Sequence, residues 1–176
     1  MAIKQDNSIE DYSDLVEIVS KTSLLQRQDR DGVSPTNNNE IVVRTLSTRD
    51  NSKYHNKFDL SPKVGDTVKI HYEIYLFKTN EDGSLFTTEV VDMPFDSSIK
   101  RNLPFQFVVG NGDVIEGLDI AVKQMTLGQL VEVSIPHIYA FGDDGFMPQI
   151  PPKTPLLLHV KLLDFTKGDV LKREWK

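Results

Sequence analysis

Cysteine is absent from the 176 residues of this chain, which removes a disulfide framework, a thiol nucleophile and any cysteine-bound zinc site and leaves stability to packing alone. A basic excess is missing too. With 20 Lys and Arg against 26 Asp and Glu, the net charge of −6 repels a phosphate backbone, and no basic run is long enough to overcome it, so nucleic acid is not an expected partner. No apolar run is long enough to cross a bilayer, and the opening MAIKQDNSIEDYSD is polar and acidic where a signal peptide needs an apolar stretch. These absences point to a cytoplasmic protein, with the nucleus also open to it, and to no membrane association. The G-x-S-x-G elbow, the Walker loop and the dinucleotide fingerprint are absent as well; the Gly110-Asn111-Gly112 break lacks both a third glycine and a parallel-strand context. Covalent chemistry and a cofactor are therefore not expected, and no internal repeat is present.

The chain is long enough for one ordinary domain with an extension. Ile9, Tyr12, Leu15, Val16 and Val19 line up on one helical face, with Ser8 as a cap, so the spacing predicts a short helix within 8–28. The DGVSPTNNNE stretch that follows reads as a linker. From Glu40 the pattern becomes β-like: IVVRTL reads as a strand, and Val68, Ile70, Tyr72, Ile74 and Leu76 alternate with Lys69, His71 and Glu73. Asn80-Glu81-Asp82-Gly83 is a turn signal, and Leu85 to Val91 closes a hairpin. After Phe105, Phe107 and Val109 the period lengthens, placing Leu118, Val122 and Met125 on one face of a short helix that stops at Gly128. LVEVSIP and LLLHVKLLDF are two further strands around a Gly/Pro-rich loop from Tyr139 to Pro155. The expected fold is α+β: an antiparallel sheet of five or six strands packed on one central helix.

No pair among the four histidines has ligand spacing. His71 and His159 fall on the polar phase of strands and His55 and His137 in or beside loops, so all four read as solvated surface residues and no metal is expected. What stands out instead is a group of large apolar residues near loop ends: Tyr72, Phe95, Phe105, Phe107, Val114, Ile115, Leu118, Tyr139, Phe141, Phe146 and Ile150. Each alone reads as an ordinary core residue.

Three segments in order turn that group into a site. VGDTVKIHYEIYL, PFDSSIKRNLPFQFVVGNGDVIEGLDIAVKQMTLGQ and SIPHIYAFGDDGFMPQIPPKTPLLLHVKLLDF resemble the FKBP family of immunophilins, with its F-D-S-S, V-I-x-G, Y-A-x-G and I-P-P strings in place. The resemblance implies a twisted sheet wrapped around one short helix, with an extension over 1–39, the domain over 40–166 and a tail over 167–176. It also implies a peptidyl-prolyl cis-trans isomerase acting on proline-containing peptides or proteins and binding macrolides of the rapamycin class, or a weakly active protein-binding or co-chaperone module with a chaperone or other protein partner. By the same resemblance Tyr72, Phe95, Asp96, Phe105, Phe107, Val114, Ile115, Tyr139, Phe146 and Ile150 line the pocket. The Ile115 N–H would hold a ligand carbonyl, Asp96 would pair with Arg101 at the rim, and Tyr72, Asp96, Ile115 and Phe141 would serve the isomerisation.

Three positions depart from the family pattern: Leu118 stands for a tryptophan floor, Phe141 for a flap tyrosine and Leu158 for a phenylalanine. Losing the indole removes apolar area worth about 1–2 kcal/mol, and losing the hydroxyl a hydrogen bond worth about 1 kcal/mol. Both changes weaken binding. Two expansions, RDNSKYHNKFDLSP and the hairpin between Tyr72 and Phe95, lengthen the loops and add Glu81, Asp82, Glu89 and Asp92.

Overall fold

A computed structural model describes residues 39–48, 60–79 and 85–168. The helix expected within 8–28, most of the linker ahead of Glu40, the Asn80–Gly83 turn, His55 and most of the RDNSKYHNKFDLSP expansion lie outside the described residues.

Two long alternating segments form the spine of the sheet. β2, Thr67–Thr79, pairs antiparallel with β7, Leu156–Thr166, from Thr67↔Thr166 to Leu76↔Leu156. A register shift beside Lys69/Ile70 leaves one extra residue on β7, a bulge that bends the strand. β6, Leu130–Ile135, lies on the other side of β7, and β1, Val42–Ser47, pairs antiparallel with β6. The second edge of β2 is covered in turn by β5, Phe105–Val108, by β4, Asp96–Ser97, and by β3, Leu85–Val90. The order is β1-β6-β7-β2-β3, with β4 and β5 also on β2, so seven strands form the sheet and the shortest of them, β4, has two residues. The expected antiparallel α+β architecture holds.

The single helix of the described residues, α1, covers Glu116–Gln124. Glu116 and Asp119 in its first turn and Lys123 in its last match the helix dipole. Leu118, Ala121, Val122 and, just past the end, Met125 are buried against Val68 and Ile70 of β2, Val131, Val133 and Ile135 of β6, and the inward phase of β7. Helical and strand periods thus meet on one core, as the sequence pattern requires.

The opposite phase of the strands corrects the histidine reading. His71 and His159 do point away from Ile70 and Tyr72, but they are only 1% and 3% exposed. Their face of the sheet is closed by polar residues bonded to one another. Arg44, Glu132, His159, Glu73 and Ser97 stand directly opposite one another across β1, β6, β7, β2 and β4. Arg44 pairs with Glu132, His159 Nε2 lies 3.1 Å from Glu132 Oε2, and the Ser97 hydroxyl donates to Glu73 Oε1 at 3.0 Å. Tyr75 places its ring 5.3 Å from His159 and donates its hydroxyl to Glu73 Oε2 at 2.9 Å. Period two assigns a side chain to a face, and here that face meets the polar side chains of neighbouring strands rather than water.

Burial pushes the Glu132 carboxyl up, but His159 and Arg44 outweigh it and hold its pKa below the ordinary 4.5. On acidification the unfolded chain therefore takes up this proton first, and the stability that the ionised carboxylate contributes is lost as pH falls through the lower, folded value. Glu132→Gln is expected to cost about 2 kcal/mol at neutral pH, less than a fully buried pair would, because Arg44 is 31% exposed. Urea unfolding of both proteins between neutral pH and about pH 3 checks this, the variant losing less stability across the acid limb.

Candidate active site

The site begins where β2 leaves the core. Tyr72 shares the inward phase of Val68 and Ile70, so its ring packs on the core, edge-on to Phe105 at 5.9 Å between centroids. Phe105 in turn stacks on Phe107 at 5.9 Å. β4 pairs Asp96 with Ile74, and partners in an antiparallel pair share a face, which brings the Asp96 carboxylate beside the phenol two residues away. Tyr72 donates its hydroxyl to Asp96 Oδ2 at 2.7 Å, Arg101 Nη2 donates to the same hydroxyl at 2.8 Å, and Arg101 also pairs with Asp96. The guanidinium lies 5.8 Å from the centroid of the Tyr72 ring.

This closed triangle sets its own electrostatics. Burial and the neighbouring Asp96 push the Tyr72 phenol up, so it stays a proton donor. Burial acts to raise Asp96 too, but Arg101 and Tyr72 outweigh it and hold the carboxyl below the usual range, so Asp96 is ionised at neutral pH. Its bond to Asp96 keeps Arg101 protonated. The rim therefore offers fixed dipoles rather than a group ready to exchange protons.

The turn before α1 forms the next wall. Asp119 accepts the Gly110 N–H at 2.6 Å and Asp113 accepts that of Val108 at 3.2 Å, fixing the path between β5 and the helix. Ile115 is the N-cap residue, extended at φ −58° and ψ 142°. Val114 and Ile115 are half-buried and pack against the core cluster that contains Phe107 and Leu118. The third wall follows β6: a single 3-10 turn, His137–Tyr139, leads into a loop in which Phe141 and Phe146 lie 5.8 Å apart. Tyr139 and Phe141 pack against the same core, and Phe146 pairs with Ile150 across the loop while remaining 56% exposed.

Tyr72, Asp96, Arg101, Phe105 and Phe107 are thus in one contact chain, with Val114, Ile115, Tyr139 and Phe141 on the shared core. Phe95 is exposed beside Asp96, its N–H donating to the Ile74 carbonyl at 2.7 Å. Leu118 is buried, and Ile150 and Leu158 are fully so; these last two have no accessible surface in this conformation and can act only by filling the space behind the lining. Ser98, which braces the Tyr72 backbone from behind the lining, is a residue that sequence reasoning misses, although the F-D-S-S string contains it. No group of three or more His, Asp or Glu suited to a metal is present among the described residues. No helix among them is long and apolar enough to cross a membrane.

The sequence model of the FKBP-type peptidyl-prolyl cis-trans isomerase family matches residues 59–163. FK506-binding protein 1 of Rhizopus delemar is 37% identical over 123 residues, which cover 70% of this chain and 95% of the relative. FK506-binding protein 1A of Aspergillus fumigatus is 43% identical over 102 residues, 58% of this chain and 80% of the relative. The peptidyl-prolyl cis-trans isomerase FKBP4 of Homo sapiens is 34% identical over 113 residues, 64% of this chain but 22% of that longer protein. With the match covering more than half of its residues, the chain belongs to the FKBP-type peptidyl-prolyl cis-trans isomerase family.

Proposed function

We propose that this chain is an active isomerase of X–Pro bonds that works without covalent chemistry, using the lining between Tyr72, Phe107, Ile115 and Phe141. Rotation about the bond breaks amide resonance against a barrier of about 20 kcal/mol. The twisted amide has lost charge separation, so an apolar surround favours it over the planar ground state. A thousandfold acceleration asks for only about 4 kcal/mol. The observation that carries the reading is the convergence of Tyr72, Phe105 and Phe107 in one aromatic chain beside an ionised, fully bonded Asp96. In this reading the Ile115 N–H holds the substrate carbonyl; among the described residues it donates to no backbone carbonyl.

The same lining takes a macrolide of the rapamycin class, as the names of the FK506-binding relatives suggest, more weakly because Leu118, Phe141 and Leu158 replace larger or hydroxylated walls. Those three residues also favour a second reading, a protein-binding or co-chaperone module with little activity. The domain lies within 40–166 and works in the cytoplasm.

The test is the cis-to-trans conversion of a proline peptide, alongside a macrolide titration, for the protein and for Leu118→Trp. Acceleration in proportion to protein concentration is expected, with tighter macrolide binding by about 1–2 kcal/mol in the variant. No acceleration at high protein concentration would overturn the isomerase reading and leave the binding module. An unchanged Leu118→Trp would remove Leu118 from the site.

A further inference from the structure

We infer that Ser98, which lies outside the proposed lining, is a positioning residue that holds the Tyr72 hydroxyl in its triangle with Asp96 and Arg101; this rests on the isomerase reading of that site. Ser98 is fully buried at the point where β4 ends and the chain turns away toward Arg101. One step further along the ladder from Glu73↔Ser97, the partner of Tyr72 is Ser98. A regular antiparallel pair exchanges two backbone bonds at such a position. Only one of them is made: the Ser98 N–H donates to the Tyr72 carbonyl at 3.0 Å.

The missing half is replaced by the side chain. The Tyr72 N–H donates to Ser98 Oγ at 2.8 Å, and the Ser98 carbonyl, freed from the ladder, accepts the Leu103 N–H at 3.1 Å. That second bond closes the turn that carries Arg101. One residue therefore fastens the backbone of Tyr72 with its hydroxyl and the Arg101 turn with its carbonyl, and so sets the spacing of the two side chains that meet at the phenol oxygen. His71 Nδ1 lies 2.9 Å from the same hydroxyl, which fixes the rotamer, and the hydroxyl also reaches the Tyr72 carbonyl at 3.2 Å. Oγ thus has three polar partners, the Tyr72 N–H, the Tyr72 carbonyl and His71 Nδ1, and alanine bonds to none of them. Ser97, the neighbour, directs its hydroxyl to the opposite face, toward Glu73 and the Lys100 N–H, and serves as the matched control.

The experiment is a double-mutant cycle of Ser98→Ala and Tyr72→Phe, read by isomerase kcat/KM and by melting temperature, with Ser97→Ala beside it. Ser98→Ala is expected to lower kcat/KM roughly tenfold in the native background, a size typical of a misplaced group, and by less than about twofold when Tyr72→Phe has already removed the hydroxyl it positions. Its loss of melting temperature is expected to be alike in both backgrounds, since the Tyr72 N–H and His71 lose their partner in each. Ser97→Ala is expected to lower the melting temperature without lowering kcat/KM. Equal rate losses in the two backgrounds would overturn the inference while leaving the site reading in place. A native protein without isomerase activity would overturn both. If Ser98→Ala does not fold, Ser98→Cys is carried through the same cycle with the same two readings.

Discussion

Gly145→Ala is expected to lower isomerase kcat/KM by about ten- to a hundredfold while shifting the melting temperature by only several degrees. Gly145 has φ +68°, and a Cβ built there would lie 2.5 Å from the carbonyl oxygens of both Ile150 and Pro151. The left-handed conformation alone costs alanine roughly 1 kcal/mol. The contacts are the larger matter, because both atoms belong to the backbone and cannot rotate aside. The Ile150 carbonyl already accepts the Phe146 N–H at 2.8 Å, and Gly145 donates to the Phe141 carbonyl at 3.1 Å. Making room for a methyl group therefore opens the loop that sets Phe141 against Phe146 and seals Ile150 behind them.

Gly142→Ala separates the two effects. Its φ is also +68°, yet a Cβ there meets nothing within 4 Å, so only the conformational cost of about 1 kcal/mol applies. Measured side by side by peptide isomerisation and thermal unfolding, Gly142→Ala is expected to lose stability with a rate within a few-fold of native, and Gly145→Ala to lose the rate. Equal rates in the two variants would mean that the loop does not shape the reacting site.

The contrast between these glycines is not legible in the sequence, where both stand in one Gly-rich loop. Periodicity does identify Val68, Ile70 and Tyr72 as one face of a strand and Leu118, Val122 and Met125 as one face of a helix, because burial on one side leaves that mark. It does not say whether the opposite phase meets water. Lys69 and His71 look alike in the pattern, yet Lys69 is exposed and His71 buried, since only the latter lies over β4 and the Ser98 hydroxyl. Likewise the row from Arg44 to Ser97 joins residues from five strands that no local window contains.

The site is legible to a different degree. The motif strings supply Tyr72, Asp96 and Arg101, whose bonds to one another the structure displays. Ser98 escapes such a reading because its part is defined by a ladder bond it does not make through its carbonyl, a fact of register rather than of composition. Side-chain chemistry names a participant, and register decides what holds it in place.

A close approach of helix and sheet at Gly117 gives the second large effect. Gly117 is buried on α1, and a Cβ there would overlap Ile135 Cγ2 and lie 3.0 Å from Cδ1 and 3.1 Å from Cγ1. Ile135 is β-branched, fully buried in the middle of the core and cannot swing clear. Alanine gains about 1 kcal/mol of helix propensity over glycine, but the overlap costs up to about 3 kcal/mol, so Gly117→Ala is expected to destabilise by about 2 kcal/mol. Pushing the helix outward also moves Ile115 and Leu118 at its start, and kcat/KM is expected to fall with stability. Ile135→Ala alone opens a cavity and costs about 3 kcal/mol, yet it deletes the three atoms nearest to the new methyl group. Independent effects would sum to about 5 kcal/mol, whereas the double variant, freed of the overlap and keeping the helix gain, is expected to lose about 2 kcal/mol, a coupling of about 3 kcal/mol between residues in contact. Urea unfolding of the four proteins measures it. Additive losses would mean that helix and sheet are held apart by something other than this contact.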